Sequence, residues 1–177
     1  MRNRCYELTY EYNHTKPPFS GGGDIIRRLF GRTGKNFTIM PPFQCDYGSN
    51  IEIGENFFAN FNCIMVDCAR VTFGDNVFVA PNCGFYTAGH PLDVEQRNRG
   101  LEYAYPITVG DNVWFGSSVT VLPGVTIGSN TVIGAGSLVN RDIPPGVVAA
   151  GNPCRVVRRI TEADKNRYGA LFSASGK

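Results

Sequence analysis

The sequence predicts an all-β protein built as a parallel β-helix from six-residue repeats, with short helical segments at both ends. Three observations carry this. Every sixth residue from Val109 is bulky and apolar: Val109, Phe115, Val121, Ile127, Ile133 and Val139. Two places before each stand Ile107, Val113, Val119, Val125, Thr131 and Ser137, so alternate side chains share one inward side. Gly110, Gly116, Gly128 and Gly134 follow, with Asp111-Asn112 and Ser129-Asn130 where corners must fall, and Gly and Asn tolerate positive φ. This period fits neither a helix nor the spacing of antiparallel strands. Stacked repeats of this kind extend one apolar core, each coil covering the edge of the last.

Taken in order, residues 1–44 form an N-terminal helical and loop segment outside the pattern. Tyr6 to Tyr12 suits either a strand or a helix. Pro17-Pro18 and Ser20-Gly21-Gly22-Gly23 are breakers and predict a loop. Asp24 to Phe30 places Ile25, Ile26, Leu29 and Phe30 on one face, which predicts a short amphipathic helix capped by Asp24 and stopped by Gly31. The β-helix occupies residues 45–160, its onset marked by Pro41-Pro42 and its first clear repeat at Ile53-Gly54-Glu55-Asn56-Phe57. Val71, Phe73, Val77, Val79, Cys83 and Phe85 continue the register after a slip between Met65 and Val71, which predicts a bulge or a longer corner. Residues 86–106 interrupt the repeats with Gly89-His90-Pro91-Leu92-Asp93 and Arg97-Asn98-Arg99-Gly100. Solenoids accept such insertions as loops on one face, often the binding face. Ile143-Pro144-Pro145-Gly146 closes the repeats, and Val147 to Ile160 carries Arg155, Arg158 and Arg159. In the last unit, residues 161–177, Thr161 with Asp164 predicts a capping box and a short helix from about Glu162, ahead of a frayed Ser173 to Lys177.

The 177 residues suit one domain with a sizeable core. Seventeen Lys and Arg against 15 Asp and Glu give a net charge of +2, which exerts no overall pull towards nucleic acid or a membrane surface. No apolar run approaches the roughly 20 residues of a membrane span, and no apolar signal segment follows Met1 to Cys5, so a cytoplasmic location is expected. The six Cys form no CxxC pair and are expected to be reduced, structural thiols. His14, in the polar stretch Asn13-His14-Thr15-Lys16, is expected at the surface or in a cap.

Several stretches together resemble the maltose and galactoside O-acetyltransferases of the hexapeptide acyltransferase superfamily. They are Pro41-Pro42-Phe43 through Gly54, Phe58-Ala59-Asn60-Phe61-Asn62, Tyr86 to Leu92 with its His-Pro pair, Val113-Trp114-Phe115-Gly116, and Gly151-Asn152-Pro153-Cys154-Arg155. The resemblance implies a left-handed prism, a homotrimer with active sites between subunits, and acetyl-CoA as co-substrate. It implies His90 as general base towards an acceptor hydroxyl, a task that suits a histidine near neutrality. It implies Asn60 as a contact of acceptor and thioester, able to donate to a developing oxyanion. Asp46 and Asp67 match acceptor ligands, with a turn-stabilising role left open for both. Glu102 matches a maltose-type Glu that orients His90 or binds the acceptor. For CoA the resemblance implies Ala80, Ser117 and Ala135 along the pantetheine arm, with Asn140, and Arg141, Arg155 and Arg158 at the phosphates. Trp114 either lines the acetyl end of the cleft or packs a coil edge.

The expected activity is direct transfer of acetyl from acetyl-CoA to a hydroxyl of a small sugar, with no Cys matching a covalent nucleophile. The departures lie on the acceptor side. Cys68 stands where galactoside-type members have an acidic residue, and Phe58 where some have Tyr. A further N-terminal segment carrying an acidic ligand has no counterpart in the sequence. A xenobiotic O-acetyltransferase and a non-catalytic β-helix module remain alternatives. A prism-shaped carbonic anhydrase does not, because its zinc site needs three His and the chain has only His14 and His90, so no metal is expected.

Overall fold

The computed structural model describes residues 2–15 and 22–167. From Phe37 onwards the chain visits three sheets in rotation and stacks six rungs of a parallel β-helix. The first face holds six parallel strands: Phe37–Ile39, Phe57–Ala59, Phe78–Val79, Trp114–Phe115, Val132–Ile133 and Val147–Ala150. The second holds Phe43–Cys45, Cys63–Val66, Gly84–Tyr86, Thr120–Val121 and Leu138–Val139. The third holds Ile51–Glu52, Val71–Phe73, Ile107–Val109 and Thr126–Ile127, extended at its ends by bridges from Arg32 to Glu52 and Ile127 to Ile143. The prism therefore begins at Phe37, earlier than the boundary at 45. Phe37-Thr38-Ile39 lacks the corner glycine of a hexad, yet it pairs residue for residue with Phe57-Phe58-Ala59. At the top, Arg155–Arg159 turns back antiparallel onto Val147–Ala150.

The alternating inward positions are buried as the repeat requires, and phenylalanines fill the axis. Phe57, Phe73, Phe85 and Phe115 are drawn from all three faces and three successive rungs, and their ring centroids follow one another at 5.0, 4.9 and 5.2 Å. The corner between third and first faces is a ladder of asparagines. Asn56, Asn76, Asn112 and Asn130 all hold positive φ, and each Nδ2 donates to the next Oδ1, at 2.9, 3.1 and 3.0 Å. One amide thus satisfies the strained corner of each rung and also pins it to the rung above. Beside this ladder a Cβ on Gly74 would stand 2.2 Å from Asp111 Oδ1 and 2.9 Å from Asp111 N, so only glycine lets the rungs approach.

Helix α1, Arg2–His14, resolves the ambiguity of the Tyr6–Tyr12 stretch in favour of a helix. Cys5, Leu8, Thr9 and Tyr12 are buried at a spacing that fits one helical face, and Tyr6 and Tyr10 stay outside. The Tyr12 hydroxyl donates to the Ile39 carbonyl, and its burial pushes its pKa up to about 12. The Asn13 amide clamps both backbone groups of Phe43, at 2.8 and 2.9 Å. The expected loop at Pro17 to Gly21 lies outside the described residues, whereas Gly22 and Gly23 open helix α2, Gly22–Leu29. Asp24 is therefore in the first turn and not the N-cap, and it pairs with Arg27 at 3.5 Å. Ile25, Ile26, Leu29 and Phe30 close the lower end of the core. Gly31 ends this element because any Cβ would meet the Ser49 carbonyl oxygen at 2.4 Å.

Two further helices are short. Helix α3, Val94–Asn98, lies in the inserted loop, and α4, Glu162–Asn166, follows the final hairpin. The capping box of α4 forms as expected, with Thr161 N–H donating to Asp164 Oδ2 at 2.9 Å. Ser173 to Lys177 lies outside the described residues. Among the described residues no helix is long and apolar enough to cross a membrane.

The residues in excess of the repeat all fall at the corner between second and third faces. They fill 46–50 in the first rung, 67–70 in the second and 87–106 in the third, where the upper rungs have only 122–124 and 140–142. The register slip at Met65 to Val71 is thus one of three stacked enlargements of a single edge.

Candidate active site

The enlarged edge assembles most of the acid–base chemistry. Asp67 is completely buried and its carboxylate accepts from the backbone N–H of Asp46 and Tyr47 at 2.9 Å each and of Asn50 at 3.3 Å. Burial pushes its pKa up and these N–H groups pull it back. Of the two roles open for Asp67, these bonds are those of the turn-stabilising one: its carboxylate holds the turn below in shape. Asp67→Ala should strip three partly buried donors of their acceptor and cost about 2–4 kcal/mol, read as a lower urea midpoint at unchanged slope.

Asp46, on that turn, is half-buried and already engaged. Arg2 Nη2 stands 3.3 Å from Asp46 Oδ2, and the Cys68 thiol donates to the same oxygen at 3.5 Å. The Arg2 guanidinium also lies over the Tyr47 ring, 5.0 Å from its centroid. Sequence reasoning missed Arg2, whose partner lies 44 positions away. It signalled itself only as one more basic residue in a helix.

His90 follows on the third rung. Ala88–Gly89 pairs antiparallel with Tyr103–Ala104 to make a stem, and a Cβ on Gly89 would strike the Tyr103 ring at 2.5 Å. Beyond the stem, Asp93 caps α3 through Gln96 N–H at 2.9 Å, and Arg97 donates to the carbonyls of Pro91 and Leu92 at 3.1 Å. The loop is thus braced from within. His90 Nδ1 lies 3.1 Å from the Leu101 carbonyl oxygen. A carbonyl only accepts, so Nδ1 carries the proton and the neutral ring offers Nε2 as its basic nitrogen. Glu102 Oε1 stands 3.7 Å from that Nε2. The ring is oriented by Leu101 O, a backbone group that no sequence pattern announces, while the Glu102 carboxylate stands beside its other nitrogen. Glu102 is also close enough for its charge to raise the pKa of the Cys68 thiol, behind burial and Asp46.

Four other expected residues border a different edge, between first and second faces. Asn60, Ala80, Ser117 and Ala135 stand at this corner on successive rungs. Asn60 Oδ1 accepts from Phe61 N–H at 2.9 Å, which leaves Nδ2 as the end free to donate. The positive φ of this corner belongs to Asn62 and not to Asn60. Trp114 is half-exposed and lines a cleft of about 430 Å³ with Phe58, Asn60, Phe78, Val79 and Ala80. It also reaches a second hollow of about 260 Å³ with Val132, Val148, Arg158 and Ile160.

The cationic end is at the top. Arg155 spans towards Asn140, with Nη1 3.4 Å from its Oδ1, and Arg141 follows Asn140 on the His90 side of the prism. Arg158 is held by Asp164 through two bonds of 2.8 and 2.7 Å, an ion pair that keeps the Asp164 carboxyl well below the usual carboxylate range. A phosphate at Arg158 must share it with Asp164. Among the described residues no three His, Cys, Asp or Glu converge as a metal site would require.

Within one chain the two edges do not meet. The second face lies between them, and at about 3.3 Å per residue of strand its width is roughly 15–20 Å. His90 and Asn60 thus stand at opposite edges of the second face.

The described geometry matches known proteins closely. Residues 106–141 match the family model "Bacterial transferase hexapeptide (six repeats)". Galactoside O-acetyltransferase of Escherichia coli is 52% identical over 168 residues, 94% of this chain and 83% of the relative. The chain belongs to the maltose and galactoside O-acetyltransferase family. Saccharomyces cerevisiae YJL218W is 60% identical over 88% of this chain and 80% of its own length. A galactoside acetyltransferase solved in complex with coenzyme A superposes with a TM-score of 0.92 at 52% identity, covering 94% of this chain and 84% of the other. A maltose O-acetyltransferase from Clostridium difficile 630 gives 0.89 at 51%, covering 90% and 86%. As a member of this O-acetyltransferase family the protein is an acyltransferase, and its prism, inserted loop and closing hairpin are the family's scaffold.

Proposed function

We propose that the protein transfers the acetyl group of acetyl-CoA directly to a hydroxyl of a small sugar, as a homotrimer whose sites lie between neighbouring copies. The observation that carries this reading is His90, braced on its loop with Nδ1 tied to Leu101 O and Nε2 open beside Glu102. Nε2 takes the acceptor proton as the oxygen attacks the thioester carbonyl. Asn60 Nδ2 of the adjoining copy donates to the oxyanion formed there, and the departing CoA sulfur recovers the proton from the imidazolium. No cysteine nucleophile is needed, and Cys63, Cys83 and Cys154 are buried.

Acetyl-CoA as donor is supported by the related galactoside acetyltransferase, solved with coenzyme A, and by the small corner residues Ala80, Ser117 and Ala135 that leave backbone open to an amide-bearing arm. Arg141, Arg155 and Arg158 supply the phosphate end. Asp46 and Glu102 are the acceptor ligands of the opposite edge. The trimer is supported by the outward side chains. The first face carries Phe58, Phe78, Trp114, Val132 and Val148 beside Thr38, the second Ile64, Val66, Tyr86, Leu122 and Leu138 beside Gln44 and Thr120, and the third the polar Glu52, Thr72, Thr108 and Thr126. Two different apolar faces suit a heterologous contact that closes a ring. The location is cytoplasmic.

The test is release of CoA from acetyl-CoA with maltose, glucose, a β-galactoside and hydroxylated antibiotics as acceptors. Sugar-dependent release is expected. Release driven only by an antibiotic would replace the sugar by a xenobiotic, and failure to bind CoA at all would make the prism a non-catalytic module.

A further inference from the structure

The reaction proposed above uses no cysteine, yet two of the six thiols meet. Cys5 on α1 and Cys45 at the end of the strand Phe43–Cys45 stand Sγ to Sγ at 3.5 Å, and Cys5 Sγ also donates to the Cys45 carbonyl at 3.3 Å. The two are 40 positions apart, so the docking of α1 creates this contact and local chain geometry does not. Closure to a disulfide near 2.05 Å asks for roughly 1.5 Å of approach between the two sulfurs. Other thiols are engaged elsewhere: Cys68 with Asp46 and Cys83 with the Gly116 carbonyl.

Cys45 is reachable, and Cys5 is buried directly behind it, in contact with its sulfur. Cys45 lines a cleft of about 340 Å³ between α1 and the second face, together with Tyr6, Thr9, Tyr10, Asn13 and Asp46. The hydrogen bond shared by the sulfurs draws the Cys5 pKa down and pushes that of Cys45 up. Cys5 is accordingly the thiol that ionises first, and the thiolate is the reactive form.

We propose that Cys5 and Cys45 form a reversible dithiol oxidation site, which a hydroperoxide entering this cleft converts to a disulfide that bolts α1 to the first rung. The Cys5 thiolate attacks a peroxide oxygen, the O–O bond breaks, and Cys5 becomes a sulfenic acid as the leaving oxygen takes up a proton. The Cys45 sulfur then attacks the Cys5 sulfur. The S–S bond forms as the S–O bond breaks, and the hydroxyl leaves as water with the Cys45 proton. Two thiols lose two electrons, and hydrogen peroxide is reduced to two waters. Because α1 forms one wall of the cleft and carries Arg2 against Asp46, the bridge fixes both.

The experiment is hydrogen peroxide treatment of the full chain, followed by intact-mass and peptide mass spectrometry and by amide exchange. A Cys5–Cys45 cross-linked peptide is expected, with a mass lower by about 2 Da that dithiothreitol restores. Exchange of the α1 amides should slow by at least about tenfold, as a cross-link restricts local opening. Cys5→Ser and Cys45→Ser should abolish both effects. A cross-link joining other cysteines, sulfinic acid on either residue with no cross-link, or a bridge that leaves α1 exchange unchanged would each overturn the proposal. The wild-type measurement decides the matter even where a serine variant fails to fold.

Discussion

His90→Ala is expected to lower turnover by about 10²–10⁴-fold while leaving acetyl-CoA affinity unchanged. A sugar hydroxyl is a poor nucleophile at neutral pH, and Nε2 is the basic nitrogen turned towards the space beside Glu102. The ring contributes nothing to the core, so folding should be untouched. Calorimetric titration with CoA and steady-state turnover separate the two effects. The same variant tests the geometry of the site. Asn60→Ala should also be nearly inactive, because it removes an oxyanion donor worth about 10²–10³. Unfolded and refolded together, the two inactive chains should recover about a quarter of wild-type activity, since random assembly places an intact His90 opposite an intact Asn60 at one interface in four. If mixing restores nothing while both variants form trimers, the site lies within one chain and the shared-site reading is wrong.

The second large effect is on stability. Phe85→Ala is expected to cost about 3–5 kcal/mol, measured by urea unfolding at fixed protein concentration. Phe85 is fully buried and sits between two rings, edge-on to Phe73 at 4.9 Å and to Phe115 at 5.2 Å. Its loss opens a cavity on the axis and breaks two aromatic contacts worth about 0.5–1.5 kcal/mol each. Phe85→Leu should recover much of the loss, because it refills most of the volume. A cost below about 1 kcal/mol for the alanine variant would mean that the rungs collapse around the gap.

The hexads from Ile107 to Val139 are plain in sequence because each inward residue is fixed by its own strand and corner. The first rung is not, because Phe37-Thr38-Ile39 is a strand only by virtue of its pairing with Phe57-Phe58-Ala59. Likewise α1 is set by what it covers, and the same residues alternate well enough for a strand. His90 stood out as a histidine in the one long interruption, and its resemblance to a family supplied the role. What orients it, the Leu101 carbonyl, is backbone and leaves no trace in residue type. Asp67 shows the reverse case. Its identity left a ligand and a turn-stabilising role both open, and its burial against three N–H groups supplies the bonds of the second. Sequence also could not say that the candidate residues divide between two edges, because neighbours along the chain are a rung's side apart in space.

The hairpin at Arg155–Arg159 has a consequence for assembly along the axis. A column of parallel strands ends in rows of unpaired amides and carbonyls, and a second column could dock there and continue the ladder. Here the uppermost strand of the first face meets a strand running the other way, and α2 with Phe30 covers the lower end of the core. At the top of the first face, therefore, the parallel ladder is closed by a reversed strand, and a second column could not continue it there in the same direction.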